Sequence, residues 1–199
     1  MNTLYEFDLE FIQKTGGLVA GVDEVGRGPL AGPVVAASVI FSEHEIIEGI
    51  NDSKKLSEKK REELFPLIKK RALAVTVGIK NNHYIDKHNI RTASLHAMQD
   101  AIEHLNHKPS LILVDGRDTI PSLTIEQKSV IKGDSKSYTI AAASIVAKVI
   151  RDRIMMHHHK KHPEYYFSSH KGYGTKKHLE AIKQHGSLPI HRFSFSGVN

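Results

Sequence analysis

The sequence predicts one α/β domain built on a mixed sheet with helices on its faces. Two strand-length apolar runs, 18–22 and 33–41, come early and flank a segment rich in glycine and proline. Further on, strand-like runs alternate with two long helical stretches, 85–105 and 137–161. A chain of 199 residues supports one sizeable core and is short for two independent domains, so a single domain over 1–199 is expected.

Each element has a local reason. The run 18–22 ends at Asp23-Glu24, and the run 33–41 is rich in Val and Ala. Between them Gly26-Arg27-Gly28-Pro29-Leu30-Ala31-Gly32 has turn chemistry, so the two strands read as a hairpin. Ser57 is placed as a helix N-cap, with Lys60 rather than Glu three residues on. Leu64, Leu67, Ile68 and Leu73 then recur at helical spacing. Residues 73–79 alternate as a third strand. Ile90, Ala93, Ala97, Met98 and Ala101 give 85–105 an apolar face, and Pro109 stops that helix. Residues 111–114 form a buried strand ending at Asp115-Gly116, and 123–131 is a candidate fifth strand. The small-residue run Ala141 to Ala147 lies in the helix 137–161, and Thr175 caps a final helix that ends at Gly186.

Composition narrows the function classes. With no cysteine there is no disulfide framework, no thiol nucleophile and no Cys-based zinc site, which suits a reducing cytoplasm. No apolar run approaches the roughly 20 residues of a membrane span. The acidic start, with Glu6, Asp8 and Glu10, is unlike a secretory leader. A formal charge of +6 and pI of 9.4 fit either a polyanion partner or simple solubility. Clustering of His157, His158, His159, Lys160, Lys161, His162, His170, Lys171, Lys176, Lys177 and His178 favours a phosphate-facing surface.

Four carboxylates stand at strand ends and helix starts, where α/β folds collect reactive groups: Asp23, Glu24, Asp115 and Asp134. Strand periodicity sends Asp23 and Glu24 to opposite faces. Hard cations such as Mg2+ or Mn2+ take oxygen ligands, and phosphodiester hydrolysis uses two of them about 3.5–4 Å apart. Taken singly, each of these residues reads as well as a turn former or cap. His158 and His162 have helical metal-ligand spacing but no third ligand, and a solvated basic face accounts for them better. Arg151 and Asp152 read as an exposed ion pair worth little, with Asp152 a rival to Asp134 for the fourth acidic place.

A set of blocks running in order from about residue 17 to 192 resembles the ribonuclease HII family. These are Gly21-Val22-Asp23-Glu24-Val25-Gly26-Arg27-Gly28-Pro29-Leu30-Ala31-Gly32-Pro33-Val34, Asp52-Ser53-Lys54-Lys55-Leu56 and Leu113-Val114-Asp115-Gly116. Next come Lys132-Gly133-Asp134 with Ala141-Ala142-Ala143-Ser144-Ile145-Val146-Ala147-Lys148 and Arg151-Asp152-Arg153, then His170-Lys171-Gly172-Tyr173-Gly174-Thr175 and Pro189-Ile190-His191-Arg192. The resemblance implies a ribonuclease H-like fold, a mixed central sheet flanked by helices with a helical C-terminal extension. It implies that Asp23, Glu24, Asp115 and Asp134 bind Mn2+ or Mg2+ and catalyse. The substrates would be RNA–DNA hybrids and DNA duplexes holding single ribonucleotides, cut to 5′-phosphate and 3′-hydroxyl ends. A sister type, ribonuclease HIII, has an extra N-terminal domain, lacks Gly-Arg-Gly and carries Glu at the fourth acidic place. Little precedes Asp23 here, Gly26-Arg27-Gly28 is present and position 134 is Asp.

The flanking motifs have a physical rationale. Gly26, Arg27 and Gly28 let backbone approach a groove and meet a 2′-hydroxyl, the group that separates RNA from DNA; without the resemblance they read as a plain turn. The family assigns this loop and Tyr173 to the RNA–DNA junction. Lys54 and Lys55 are candidate phosphate contacts, and Ser144, Lys148 and Asn89 are weaker ones, Ser144 in its small-residue run being a packing residue by default. Nothing demands more than a monomer, and 192–199 shows no clear motif for a sliding-clamp partner. Two alternatives remain: a 3′–5′ exonuclease of the Asp-Glu-Asp-Asp type, which gives Gly-Arg-Gly no reason, and a non-catalytic nucleic-acid binder, whose four carboxylates would repel phosphate.

Overall fold

The computed structural model describes residues 3–42 and 45–198. The described residues form β1 (Val19–Val25), β2 (Val34–Ile40), β3 (Ala74–Lys80), β4 (Leu111–Asp115) and β5 (Glu126–Val130), joined in one sheet of order β3-β2-β1-β4-β5. The hairpin expected at 26–33 is present, with β1 antiparallel to β2 and Val25 opposite Val35. β3 pairs antiparallel with β2, while β4 and β5 run parallel to β1, so the sheet is mixed.

Both sheet faces are covered. On one lie α1 (Thr3–Thr15), α2 (Glu58–Arg71) and α5 (Tyr138–Lys161). There Val35, Ala37 and Val39 of β2 meet Ala141, Ile145 and Val149 of α5, with Leu64 and Ile68 of α2 beside them. On the other face α3 (Asn82–His88) and α4 (Ile90–Glu103) bury Ala93, Ala97 and Met98 against Ala20, Val22 and Ala36. The small residues of α5 permit very close approach. A Cβ on Gly21 of β1 would lie 2.3 Å from the Thr139 carbonyl carbon, so the helix can sit there only over glycine. The C-terminal extension, α6 (Phe167–His170) and α7 (Lys176–His185), joins Leu30, Ala31, Met155, Tyr165 and Ala181 in a smaller cluster that seats the 26–33 loop.

The caps read from the sequence are made. Ser57 and Thr175 accept the amides of Lys60 and His178 at 3.2 and 3.3 Å, and Gly186 ends α7 at φ 79°; Ser137, read as the first residue of its helix, is instead its cap and accepts the Ile140 amide at 3.2 Å. Several expectations need correction. The stretch 85–105 is two helices: Asn89 takes φ 62° and accepts the Thr92 amide at 3.0 Å, which restarts the chain in a new direction. The fifth strand is shorter than 123–131, since only Glu126–Val130 pairs with β4. α1 had no counterpart in the sequence reading. Its buried Asp8 accepts the Thr139 amide (2.8 Å) and hydroxyl (2.9 Å), tying α1 to the first turn of α5.

Candidate active site

Strand geometry places the first two carboxylates. In β1 the residues Ala20 and Val22 pack under α4, while Gly21 faces α5. Alternation therefore sends Asp23 toward α5 and Glu24 toward α4, where Glu24 lines a cleft with Arg91, Ser94 and Met98. β4 lies parallel to β1 with Val114 beside Val22, which brings Asp115, one residue on, alongside Asp23. Asp134 arrives from a 3-10 turn, Gly133–Ser135, between β5 and α5. The Gly133 amide donates to Asp115 Oδ1 at 2.6 Å. A Cβ at that glycine would come within 2.6 Å of Ile140 and 3.1 Å of the same carboxylate oxygen, so the turn needs glycine to lie this close.

Asp23, Asp115 and Asp134 thereby offer carboxylate oxygens that all lie within 4.8 Å of one another. Asp23 is 3% exposed and Asp134 5%. Burial pushes the Asp23 carboxyl well above its ordinary range, and the neighbouring Glu24 and Asp115 push it further. Burial raises Asp115 as well; the Gly133 amide pulls it down and Asp134 pushes it up. Burial lifts Glu24 to about 7, Asp115 adding to the rise and Arg27 opposing it. Such a packed set of oxygens lacks a compensating charge. Lys54 supplies part of it, donating to Asp134 Oδ2 at 2.9 Å although its side chain is 77% exposed. Burial disfavours the Lys54 ammonium, but the bond to Asp134 and the fields of Asp134, Asp23 and Asp52 outweigh it and raise its pKa. The donor set, hard oxygens at close quarters, fits a divalent cation.

The other sequence-predicted residues separate into two groups. Arg27 and Gly28 are exposed at the tip of the loop and Gly26 is buried at its base. Tyr173, 44% exposed, lies over Gly28, its Cε1 3.5 Å from where a Cβ would be. Arg27 Nη1 approaches Glu24 Oε1 at 3.4 Å, and Lys55 is exposed beside Lys54. Ser144, by contrast, is buried; it bonds the Asp23 carboxylate and lies 2.6 Å from the Ser53 hydroxyl, a position that braces Asp23 from behind. Lys148 is mostly buried and bonds Asp152 at 2.8 Å. Asn89 is a helix cap.

Two sequence readings fail here. Arg151 and Asp152 are not an exposed pair. Arg151 is fully buried and bonds the carbonyls of Pro33, Lys171 and Ala31, while Asp152 pairs with Lys148 and Arg61. Asp152 also stands outside the acidic trio. Nor does the whole basic cluster face outward, because His170, Lys171 and His178 are buried. His178 holds Tyr173 instead: Nδ1 donates to the Tyr173 carbonyl (2.9 Å), so Nε2 accepts from His191 Nε2 (3.1 Å), whose Nδ1 in turn accepts the Leu188 amide (2.8 Å). Burial and the neighbouring His178 lower both His170 and His191 to about 4. The sequence reading missed Arg192, His178 and His191 as supports of the loop; the only signal for Arg192 and His191 was their place in the ordered blocks, and His178 enters that reading only as part of the basic cluster.

A family model described as Ribonuclease HII matches residues 20–198. The chain is 52% identical over 198 residues to a Ribonuclease HII of Endomicrobium trichonymphae, spanning 100% of this chain and 94% of that one. Its fold is similar to the crystal structure of ribonuclease H2 from Pyrococcus horikoshii (TM-score 0.78, 30% identity, 91% of this chain and 95% of that one). It is also similar to the ribonuclease HII solved in a PCNA complex from Archaeoglobus fulgidus (TM-score 0.77, 28% identity, 89% and 95%).

Proposed function

Since this chain belongs to the ribonuclease HII family, and so is an endonuclease of the RNA strand in RNA–DNA hybrids, we propose that it also nicks duplex DNA 5′ to a single embedded ribonucleotide. The reading adds two divalent cations, Mn2+ or Mg2+, and 5′-phosphate and 3′-hydroxyl products. The observation that carries it is the trio Asp23, Asp115 and Asp134, two of them buried and Asp115 partly so, with oxygens within 4.8 Å, together with a Gly-Arg-Gly loop whose exposed Arg27 and Gly28 lie by Tyr173.

Asp23, Asp115 and Asp134 would hold the cations, with Glu24 reaching the group from the other face of β1. When bound, the cations would supply an activated water and offset charge on the leaving 3′ oxygen. Asp23 is kept in place by Ser144, and Asp115 by the Gly133 amide. Lys54, no longer needed by Asp134 once cations are present, is placed to face the phosphate backbone with Lys55. The loop 26–28 and Tyr173 would read the ribose, the glycines allowing close approach and the ring packing against the sugar. Among the described residues no helix is long and apolar enough to cross a membrane. The clamp partner belongs to the archaeal complex and forms no part of this proposal.

The test is an end-labelled DNA duplex with one ribonucleotide, incubated with Mn2+, Mg2+ or chelator. A single metal-dependent nick on the 5′ side supports the reading. A ladder receding from the ends, or cleavage of long hybrids with the single ribonucleotide left intact, would overturn it.

A further inference from the structure

Beneath the 26–33 loop lie two guanidinium groups, those of Arg151 and Arg192, both fully buried. Among the described residues neither makes a salt bridge to a carboxylate. A buried charge without a counter-ion is costly, so what compensates it is informative. For Arg192 the compensation comes from the loop itself. Nε donates to the Gly32 carbonyl (3.0 Å), Nη1 to that of Arg27 (2.9 Å) and Nη2 to that of Gly26 (2.6 Å). The Arg192 amide donates to Leu30 (2.8 Å), and the Gly32 amide donates to Ile190 (3.0 Å), so the segment before and at Arg192 runs along the loop as a splint.

The orientation of these carbonyls has a consequence on the opposite side. In a trans peptide the C=O and the following N–H point in opposite directions, and the described chain has no cis peptide bond. With the Gly26 and Arg27 carbonyls turned inward to Arg192, the amides of Arg27 and Gly28 are turned outward. Both residues are exposed, and neither amide has an acceptor among the described residues. Two adjacent free donors therefore face solvent under the Tyr173 ring, aimed at an acceptor that the protein does not supply. A planar guanidinium is suited to this task. It presents donors in a fixed fork, which a lysine ammonium cannot spread over three carbonyls.

We propose that Arg192 is a positioning residue for ribose recognition, turning the Arg27 and Gly28 amides outward as a donor pair for the 2′-oxygen. The inference rests on the function proposed above and assigns this chain's selectivity to a side chain that does not touch the substrate. Loss of the fork lets the two peptides rotate and removes up to two hydrogen bonds made to ribose and not to deoxyribose. Binding through phosphates is untouched, because Lys54 and Lys55 are elsewhere.

The experiment compares dissociation constants for a duplex with one ribonucleotide and the same duplex in all-deoxy form. Both are measured in an Asp115→Asn background so that nothing is cut. Arg192→Lys is expected to shrink the ribo-over-deoxy preference roughly tenfold, the worth of one ordinary hydrogen bond, with the all-deoxy constant unchanged within about twofold. Phe195→Leu, which keeps Arg192 but trims the ring 5.1 Å from its guanidinium, should shift the preference the same way by less; it stands in if Arg192→Lys does not fold. An undiminished preference in a folded Arg192→Lys protein overturns the proposal, as does equal weakening on both duplexes, or no shift in Phe195→Leu when Arg192→Lys is unfolded. If the parent protein itself shows no ribo preference, the function proposed above falls as well, so the two failures are distinguishable.

Discussion

Glu24→Gln should make the metal-free protein more stable and less active. In the folded chain burial, with Asp115 adding to it, lifts the Glu24 carboxyl from 4.5 to about 7. The folded state thus keeps its proton over a pH range in which the unfolded chain has lost it. The associated stability is complete below about pH 4.5 and is lost as pH rises to about 7. At about 1.4 kcal/mol for each pH unit crossed, the ionised carboxylate costs the metal-free fold roughly 3 kcal/mol above pH 7. Gln keeps the shape and removes that cost. It gives up only the Arg27 contact, at 3.4 Å and half exposed, which is worth little. For a domain of this size 1 kcal/mol moves Tm by about 2–4 °C, so the variant should melt roughly 6–12 °C higher at pH 8 in chelator. The gap should close near pH 4.5 and narrow at pH 8 when Mg2+ is added. Cleavage of a hybrid should drop by roughly 10- to 100-fold, as for other groups that tune a metal site without being central to it. Thermal melts at the two pH values, with and without Mg2+, decide the matter. A Gln variant no more stable than its parent at pH 8 in chelator, or a gap of the same size at pH 4.5, refutes the electrostatic account.

Asp23→Asn and Asp115→Asn should each abolish detectable cleavage while the circular dichroism spectrum is retained, since each removes one of three clustered oxygen ligands; full activity in either would remove that residue from the site. Tyr173→Ala should lower kcat/KM on a single-ribonucleotide duplex by roughly 10- to 100-fold, the loss of one stacked ring at about 1–3 kcal/mol, and an unchanged rate would take Tyr173 out of recognition. His170 and His191 should stay neutral down to about pH 4 in an NMR titration of the imidazole protons, because burial lowers both; a midpoint near 6.5 for His191 would mean that its hydrogen bond to His178 is not formed as described, and one for His170 that its ring is not buried.

Much of the frame follows from local rules. Strand-length runs either side of a glycine-rich turn gave the hairpin, and the stretch 137–161 with its small-residue run gave the long helix α5. Period-two alternation alone sends Asp23 and Glu24 to opposite faces. The tertiary structure then separated them in kind, since Asp23 joins Asp115 and Asp134 while Glu24 borders α4. Asn89 shows where local reading stops. The apolar spacing continues through it, but a left-handed residue whose side chain caps the next helix divides the element, and periodicity carries no trace of that change of direction.

The sequence by itself determined which carboxylates stand at strand ends, which turn could approach a groove, and, through ordered motifs, the family. Only the fold decided that three distant aspartates come together, that Arg151 and Arg192 lie under the 26–33 loop, and that His170, Lys171 and His178 are interior. The physical reason is that secondary structure depends on neighbours in the chain. The burial of a charge or an imidazole depends on whether remote segments bring carbonyls to meet it, and residues 26–33 and 188–192 do so only once the sheet, α5 and the C-terminal helices have packed.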